Sequence, residues 1–424
     1  MRLLSLLLIL TSVASGDKPN VILLLADDLG YADMSFLPQS PKDVSTPNLD
    51  RLARSGTYYK EAYATAPICS PSRVGLITGR YQQRWGNYWY GQGGLPDTET
   101  TIPQILKDLG YATKKVGKTH NNGGPANHPL DHGFDEYLGF LHHTWDYLRI
   151  SEQDASAYNS RRKGAAKAAC IGPLVRNRDT PASFEHTDTT KVFADEAVEF
   201  LQRDHDKSFY LHVSFNAVHH PTYVNDPALA KQFGAPQEPW DRDAESWNYP
   251  FWDPNKEPWN TWHRKWGHLG QVDPHGRQRY LACLRGLDLA VGRILNTLQQ
   301  QNLRENTLIV FLSDNGGTIN TYANNTPLRG YKYMFGEGGI RIPMIVSLPG
   351  KLPAGETSTG SVSSLDILPT IAELTGANKP ANLDGHSLAP TFDDKPTAAK
   401  PIHWDSGKGE WVVRQGPWKL IQSK

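Results

Sequence analysis

The sequence predicts an α/β protein with a large, mostly parallel central sheet flanked by helices, and a small C-terminal antiparallel-sheet subdomain. Continuous apolar runs are typical of strands buried on both faces of a parallel sheet, and they occur at 20–25, 209–215 and 307–312. Between them lie segments with apolar residues at helical spacing, at 101–109, 187–203 and 278–300. Near the C-terminus, short runs separated by glycine-containing turns indicate antiparallel strands, at 402–404, 411–414 and 418–421.

In the first half of the chain, individual residues mark where the predicted elements begin and end. The run 20–25 is followed directly by two aspartates, which ends the first strand. Pro47 sits where a proline is favoured in the first turn of a helix. Gly110 ends the helix predicted at 101–109, and a strand at 111–116 follows it.

The longer predicted helices lie in the second half of the chain. The segment 187–203 has an apolar face that we expect to pack into the core, made of Val192, Phe193, Ala197, Phe200 and Leu201. A long amphipathic helix is predicted at 278–300, and a shorter one from Leu365 to Leu374 stops at Gly376.

The chain of 424 residues is long enough for one large domain and a smaller one. We divide it into a signal peptide at 1–16, a catalytic domain at 17–379, and a small C-terminal subdomain at 380–424. The catalytic domain carries a tryptophan-rich insertion at about 222–275. The C-terminal subdomain stops soon after its third predicted strand, so it is either naturally short or truncated.

The overall charge points to no polyanionic partner. Lysine plus arginine and aspartate plus glutamate both number 44, so the formal net charge is zero. No global field therefore favours nucleic acid or an acidic membrane surface. Any recognition of an anion has to be local.

The N-terminus has the pattern of a secretory signal peptide. Met1-Arg2 precedes an apolar run at 3–10, and small residues follow as far as Gly16. The run is too short for a spanning helix, and no later stretch approaches the necessary length. We therefore predict a secreted or periplasmic protein with no membrane span.

Three cysteines are too few for a disulfide scaffold in an exported protein. Cys170 and Cys283 could pair with each other, or both could be buried thiols. If they pair, Cys69 is the odd cysteine. It precedes Ser70-Pro71-Ser72-Arg73, in which Pro71 and Ser72 can start and cap a helix. The N-terminal end of a helix would stabilise a thiol-derived anion or a sulfate oxyanion beside Cys69, although a lone cysteine before a helix is more often a buried structural residue.

Charged and polar residues follow the predicted strands at their carboxyl ends, the edge at which open α/β sheets bind ligands. Taken singly, each has an ordinary interpretation as part of a polar loop or turn. Taken together they supply hard oxygen donors, which suit Ca²⁺ or Mg²⁺, and cations, which suit a tetrahedral oxyanion. The set comprises Asp27, Asp28, Cys69, Arg73, Lys118, His120, His219, Asp314, Asn315 and Lys332.

The insertion at 222–275 breaks the alternation of strands and helices. Six of the twelve tryptophans lie between Trp240 and Trp266, mixed with proline and charged residues, so a regular core element is not expected there. One interpretation is a loop whose tryptophans fill gaps beneath it. The other is a substrate platform, because flat aromatic faces beside polar groups suit sugar rings.

Four stretches give the chain a specific family resemblance, namely Cys69-Ser70-Pro71-Ser72-Arg73 with Thr78-Gly79-Arg80, Gly117-Lys118-Thr119-His120, Ser313-Asp314-Asn315-Gly316-Gly317, and Leu328-Arg329-Gly330-Tyr331-Lys332 with Glu337-Gly338-Gly339. In this order they resemble type I, formylglycine-dependent sulfatases of the alkaline-phosphatase-like superfamily. The Cys-x-Pro-Ser-Arg motif is highly specific in this context. The resemblance extends from about residue 20 to the C-terminus.

The resemblance implies that Cys69 is oxidised to Cα-formylglycine, whose hydrated gem-diol is the nucleophile. The partners it implies are a sulfated glycan and either a formylglycine-generating enzyme or an anaerobic sulfatase-maturating enzyme. One Ca²⁺, favoured over Mg²⁺, would be bound by the modified residue 69 together with Asp27, Asp28, Asp314 and Asn315.

The resemblance also assigns roles to the cations. Arg73 would hold the hydrated aldehyde, while Lys118, His219 and Lys332 would bind sulfate and assist departure of the alcohol. His120 would take the proton from the second hydroxyl and so expel sulfate. Thr119 and Val218 depart from the tryptophan and proline common in the family, but neither change removes a reacting group.

The predicted function is hydrolysis of sulfate esters, with a sulfated poly- or oligosaccharide favoured over small aryl esters because of the signal peptide and the tryptophans. An aryl sulfatase and a phosphonate or phosphodiester hydrolase using the same modified residue are alternatives. A glycan-binding protein on an inactive scaffold is a third interpretation. The intact Cys69, Arg73 and His120 argue against it.

Overall fold

The computed structural model describes residues 18–89, 91–121, 127–141, 174–179, 188–219, 222, 224, 226–236, 275–393 and 400–422. The predicted signal peptide, Cys170 and the six tryptophans between Trp240 and Trp266 lie outside these residues. Their roles therefore stay predictions.

A large mixed sheet forms the centre of the molecule. Among the described residues it contains ten strands, namely β1 (Asn20–Ala26), β2 (Thr57–Tyr63), β3 (Ala112–Lys118), β4 (Glu136–Phe140), β5 (Val175–Arg176), β6 (Phe209–Ser214), β7 (Thr307–Ser313), β8 (Arg341–Ile342), β9 (Met344–Ser347) and β10 (Glu356–Ser363). The spatial order is β10-β2-β9-β7-β1-β6-β3-β4-β5, with β8 beside β2.

The middle of the sheet is parallel, as predicted. Strand β1 lies between β6 and β7 and is parallel to both, and β3 continues the parallel array from β6 to β4. Antiparallel pairing enters where β9 joins β7 and β2, and where β5 joins β4. The carboxyl ends of β1, β3, β6 and β7 therefore meet at one edge.

Helices cover both faces of this sheet and bury two separate apolar cores. In chain order they are α1 (Pro47–Arg54), α2 (Cys69–Thr78), α3 (Ile102–Lys107), α4 (Thr189–Leu201), α5 (Pro227–Phe233), α6 (Gly276–Gln300), α7 (Glu337–Ile340) and α8 (Ile367–Thr375). On one face α4 and α6 pack against each other, and on the other α2 lies against α8. The predicted core face of α4 is fully buried.

Most predicted boundaries agree with the structure to within three residues. Pro47 lies in the first turn of α1, and Gly376 ends α8 in the left-handed conformation. Thr101 caps α3 through a reciprocal capping box with Gln104. The insertion contains one element that the sequence did not predict, the short helix α5, which a side-chain cap from Asp226 stabilises.

The C-terminal region forms a small separate antiparallel sheet, as predicted, from β11 (Ile402–Asp405), β12 (Trp411–Gln415) and β13 (Trp418–Gln422). Trp404 is buried against Tyr63 of the large sheet, with the rings at 5.5 Å, and its indole donates to the carbonyl of Ala64. The small sheet is thus anchored by its own apolar cluster. Across the described parts of the chain, no helix is both long and apolar enough to cross a membrane.

Candidate active site

Backbone hydrogen bonds tie together the three loops that follow β1, β6 and β7. The amide of Asp27 donates to the carbonyl of Ala217 (2.9 Å), and the amide of Val218 donates back to Asp27 (2.8 Å). The amide of Asp314 donates to Ala26 (3.1 Å). The parallel strand order therefore fixes the aspartates of the first and last loops beside the His219 loop.

Helix α2 brings Cys69 to this edge of the sheet. The helix begins at Cys69 itself, with Ile68 as its N-cap residue, and ends at Gly79 in the left-handed conformation. The predicted capping role of Ser72 is wrong, because its hydroxyl donates instead to the backbone carbonyl of Asp314. Ser72 therefore joins α2 to the loop after β7.

The prediction that the start of α2 stabilises a thiol-derived anion at Cys69 is also wrong. Cys69 is buried, and loss of solvation raises the pKa of its thiol to about 12, although Lys118 and Lys332 oppose the shift. Desolvation of a charge outweighs the favourable field of one helix terminus. The unmodified side chain is therefore a neutral thiol and a poor nucleophile.

Arg73 and Lys118 surround the carboxylate of Asp27. Lys118 Nζ lies 2.5 Å from Asp27 Oδ2, and Arg73 Nη2 lies 3.5 Å from Asp27 Oδ1. The guanidinium also contacts Asp314 Oδ2, at 2.7 Å from Nη2 and 2.9 Å from Nε, and donates to Ser214 Oγ at 2.6 Å. Planar Arg73 is thus held by three neighbouring strand ends, which fixes its orientation.

Asp28 is the centre of a second group. Its carboxylate lies 2.7 Å from Lys332 Nζ, accepts from Asn315 Nδ2 at 2.7 Å, and lies 3.7 Å from His219 Nε2. The amide of Asp28 donates to Asp314 Oδ1 at 3.2 Å. All five side chains are buried. The structure thus brings Asp28, His219, Asp314, Asn315 and Lys332 together, as the strand-end argument predicted.

Glycines allow the loop after β7 to pack against the segment that carries Lys332. The amide of Lys332 donates to the carbonyl of Gly317 at 3.1 Å. A Cβ atom added to Gly316 would lie only 1.9 Å from the carbonyl oxygen of Gly338. The glycines that follow Asp314-Asn315 and Glu337 are therefore required by backbone-to-backbone contact.

Burial and the neighbouring charges shift the pKa values of these residues in different directions. Burial favours protonation of Asp27, but Lys118 and Arg73 outweigh it and hold the pKa of Asp27 well below its usual value. Burial and the nearby Asp27 raise the pKa of Asp314 to about 7. Burial also lowers the pKa of Lys332, but Asp28 more than compensates and keeps that pKa well above its usual value.

Both predicted site histidines are neutral in this environment. Burial and the charge of Lys332 lower the pKa of His219 to about 3. Burial, Lys118 and Arg73 hold the pKa of His120 well below its usual value. His120 follows β3 directly and has a left-handed backbone with φ of 48°. A neutral imidazole at such a position is able to accept a proton.

A family model described as Sulfatase matches residues 19–377, which is most of the chain and includes every residue of this group.

The chain belongs to the sulfatase family.

Two similar proteins extend this assignment. N-acetylgalactosamine-6-sulfatase from Canis lupus familiaris is 30% identical over 440 residues, covering 98% of this chain and 74% of that protein. Arylsulfatase D from Homo sapiens is 28% identical over 452 residues, covering 89% of this chain and 69% of that protein. The chain is therefore a sulfuric ester hydrolase, as the sequence predicted.

A solved structure supports the fold of this sulfatase. The crystal structure of Ps i-CgsB has a TM-score of 0.79 and 32% sequence identity, and the match covers 96% of this chain and 84% of that one. A second crystal structure shows Ps i-CgsB in complex with k-i-k-neocarrahexaose, with a TM-score of 0.78. The alkaline-phosphatase-like fold predicted from the motifs is confirmed.

The donor set of the sulfatase fits a hard divalent cation. Ligand atoms of Asp27, Asp28, Cys69 and His219 all lie within 4.8 Å of one another. Beside them, the Oδ1 atom of Asn315 is buried without a hydrogen-bond partner. Predominantly oxygen donors of this kind suit Ca²⁺. Asp314, the remaining predicted ligand, is not part of that group of four and directs its carboxylate toward Arg73.

Two residues that support the site were missed from the sequence. Ser214 is the last residue of β6 and orients Arg73, so the strand-end rule could have found it. No pattern in the sequence, such as a position at a strand end, marks Asn325 as part of the site. Its Oδ1 accepts from the amides of Tyr31 and Gly317, and its Nδ2 donates to the carbonyls of Gly317 and Gly330. One side-chain amide thus braces the loops that carry the aspartates and Lys332.

Proposed function

We propose that this sulfatase removes sulfate from a sulfated poly- or oligosaccharide, using formylglycine at position 69 and one Ca²⁺. The observation that carries the proposal is the convergence of Arg73, Lys118 and Lys332 on buried carboxylates beside Cys69. The glycan preference rests on the relatives, one of which is named for N-acetylgalactosamine 6-sulfate and another crystallised with a neocarrahexaose. The pattern of residues 1–16 favours action outside the cytoplasm.

The residues around position 69 explain why cations are concentrated there. A sulfate monoester is negatively charged and repels a nucleophile, so positive groups must offset that charge. Lys118 and Lys332 are both buried, so their amino groups lie in a region from which solvent is largely excluded. In such surroundings each positive charge stabilises a developing oxyanion more strongly than it would in water.

Modification of Cys69 supplies the nucleophile. The hydrated aldehyde offers one hydroxyl for attack on sulfur and a second whose deprotonation lets sulfate leave without attack by water. Arg73 is held rigidly by Asp314 and Ser214 and would orient that hydrate. His120 is neutral and would accept the proton of the second hydroxyl. His219 would act on the side of the departing alcohol.

The calcium proposal rests on the donor set around Asp28. Asp27, Asp28, residue 69, Asp314 and Asn315 would hold the ion, and bound Ca²⁺ would offset the charge of the sulfate ester. The side chains of Lys118 and Lys332 contact the same carboxylates. They therefore hold the carboxylates in a fixed orientation for binding.

Mass spectrometry and a substrate panel test this proposal together. Protein co-expressed with a maturation enzyme should yield a peptide in which the thiol of residue 69 is replaced by an aldehyde. The same preparation should release sulfate from sulfated oligosaccharides faster than from an aryl sulfate, and much faster than phosphate from a matched phosphate ester. An active preparation whose residue 69 remains cysteine would refute the modification. Faster turnover of the aryl sulfate or the phosphate ester would refute the substrate class.

A further inference from the structure

A second pair of buried basic residues lies beside Arg73, on the opposite face of the sheet from Lys118. Lys115 of β3 and His212 of β6 are direct neighbours in the parallel register. Their nitrogens, Nζ and Nδ1, are 3.4 Å apart, and both residues are at most 4% exposed. Neither residue belongs to the set that the mechanism uses.

These two side chains line a small cavity together with Arg73 and His132. The cavity offers about 10 Å³ to the centre of a water-sized occupant, which is roughly the space of one water molecule. The Nε2 atom of His212 and both ring nitrogens of His132 are buried without a hydrogen-bond partner. The cavity therefore has room for one small occupant and polar groups to hold it.

The lining of the cavity is basic, and the acidic residues Asp97 and Asp131 act on His132 only from outside that lining, partly offsetting the lowering of its pKa by burial. None of the described residues that line it carries a carboxylate, and within the described chain Lys115 has no acidic partner. The carboxylates nearest to Arg73, those of Asp27 and Asp314, are engaged at the active site. Burial, reinforced by Arg73, holds the pKa of Lys115 well below its usual value. A buried ammonium without a counter-charge is strongly disfavoured.

We propose that this cavity is a binding site for a single halide ion, of the chloride class, held by Lys115, His212 and His132. A halide is somewhat larger than the single water molecule for which the cavity has room, so its lining must shift slightly to admit the ion, whereas a tetrahedral oxyanion such as sulfate is far too large. The ion supplies the counter-charge that the amine lacks. It also accepts hydrogen bonds from nitrogens that otherwise have none. This inference is independent of the substrate proposed above.

Crystals of the full chain grown in sodium bromide provide a direct test, because bromide gives an anomalous signal. The expected result is one anomalous peak in the cavity, in contact with Lys115 Nζ and a ring nitrogen of His132 or His212. Electron density for water at that position, with no anomalous signal at high bromide concentration, would overturn the proposal. In that case Lys115 would be a neutral amine solvated by a single water molecule.

Thermal unfolding in different salts gives an independent test. At equal ionic strength, chloride and bromide should raise the Tm in a saturable way relative to gluconate, because the ion binds only the folded state. Lys115→Met replaces the amine by an apolar group of similar length and should abolish the difference between salts. Lys107→Met is the matched control, since Lys107 is half-exposed and paired with Asp135, and it should keep the halide response. An equal response in Lys115→Met and the wild type would refute the site.

Discussion

Two groups of charged residues in this sulfatase differ in burial and in the pairing of their carboxylate oxygens. The site cluster comprises Asp27, Asp28, Arg73, Lys118, Asp314 and Lys332, all of which are buried. The inter-sheet network joins the large sheet to the C-terminal sheet and comprises Glu61, Glu337, Arg341, Arg414 and Lys419. In its principal pairs, the side chains are 11–25% exposed.

The carboxylates of the inter-sheet network have donors from both sheets. Glu337 accepts from Lys419 Nζ at 2.8 Å and from Tyr63 Oη at 2.9 Å, and Glu61 accepts from Arg414 at 2.6 Å. In the site cluster, by contrast, Asp27 Oδ1 has no hydrogen-bond donor, and neither has Oδ1 of the adjacent Asn315. Complete burial of charges is costly and seldom maximises stability. The inter-sheet network therefore braces two sheets, whereas the site cluster is costly to the fold and fits the binding and catalytic role proposed for it.

The largest expected difference between the two groups is the effect of their substitutions on catalytic activity. Cys69→Ala should lower kcat/KM by roughly 10⁵–10⁶-fold, because the nucleophile is lost, while the fold is retained. Glu337→Gln should leave kcat/KM near the wild-type value. Initial rates on a sulfated oligosaccharide, with circular dichroism as the check of folding, measure both variants. Substantial residual turnover by Cys69→Ala would place the nucleophile elsewhere.

Substitutions in the site cluster should also lower the free energy of unfolding more than substitutions in the inter-sheet network. Lys332→Met leaves Asp28 buried without its main counter-charge and should cost about 3–5 kcal/mol of unfolding free energy. Lys419→Met removes a partly exposed partner of Glu337 and should cost about 1 kcal/mol or less. Denaturant unfolding of both variants in the presence of a chelator measures the difference. Equal losses would show that burial does not distinguish the groups.

Removal of calcium tests the unpaired oxygens of the site cluster. A chelator should lower the Tm and abolish activity, and added Ca²⁺ should restore both. At a calcium concentration of a hundred times Kd, the expected stabilisation is about 2.7 kcal/mol. Asn315→Leu should weaken this response, while Glu337→Gln should respond as the wild type does. A Tm and a catalytic rate that do not change when the chelator is added would contradict the calcium assignment.

The smallest expected effect is the pH dependence of the inter-sheet network. Burial favours protonation of Glu337, but its hydrogen bond and ion pair with Lys419 outweigh this and lower the pKa of Glu337. The carboxylate therefore stabilises the fold above the usual glutamate pKa, and this contribution disappears as the pH falls through the lowered value. Glu337→Gln should be about 1 kcal/mol less stable than the wild type near pH 7. The two unfolding curves should converge below about pH 4, and a gap that widens in acid would contradict this sign.

The sequence predicted the site best where a charged or polar residue lies just after the end of a predicted strand. Asp27, Lys118, His219 and Asp314 were predicted at one edge because predicted strands end shortly before them, and parallel strands bring those ends together. Cys69 was placed beside them by its motif. The structure confirms the parallel centre of the sheet and brings these side chains together.

Other features depend on distant contacts that no local pattern encodes. Ser72 has the composition of a helix cap, but its partner is the backbone of Asp314, 242 residues away. The antiparallel strand β9 inserts between β2 and β7, and its position follows from packing rather than from its short sequence. The pKa of Cys69 is set by complete burial, which a favourable helix position did not reveal.

The distance along the chain between Cys69 and the residues that bury it has a consequence for timing. Arg73 is locked by Asp314, which is synthesised 241 residues later. At typical rates of synthesis this interval lasts roughly 10–50 s, and throughout it the loop after β7 does not yet exist. An enzyme that modifies Cys69 would have a clear opportunity in that interval and little access afterwards, because the finished fold exposes only 1% of the residue. Maturation and folding would then compete kinetically, and slower synthesis between α2 and β7 should raise the fraction of active molecules.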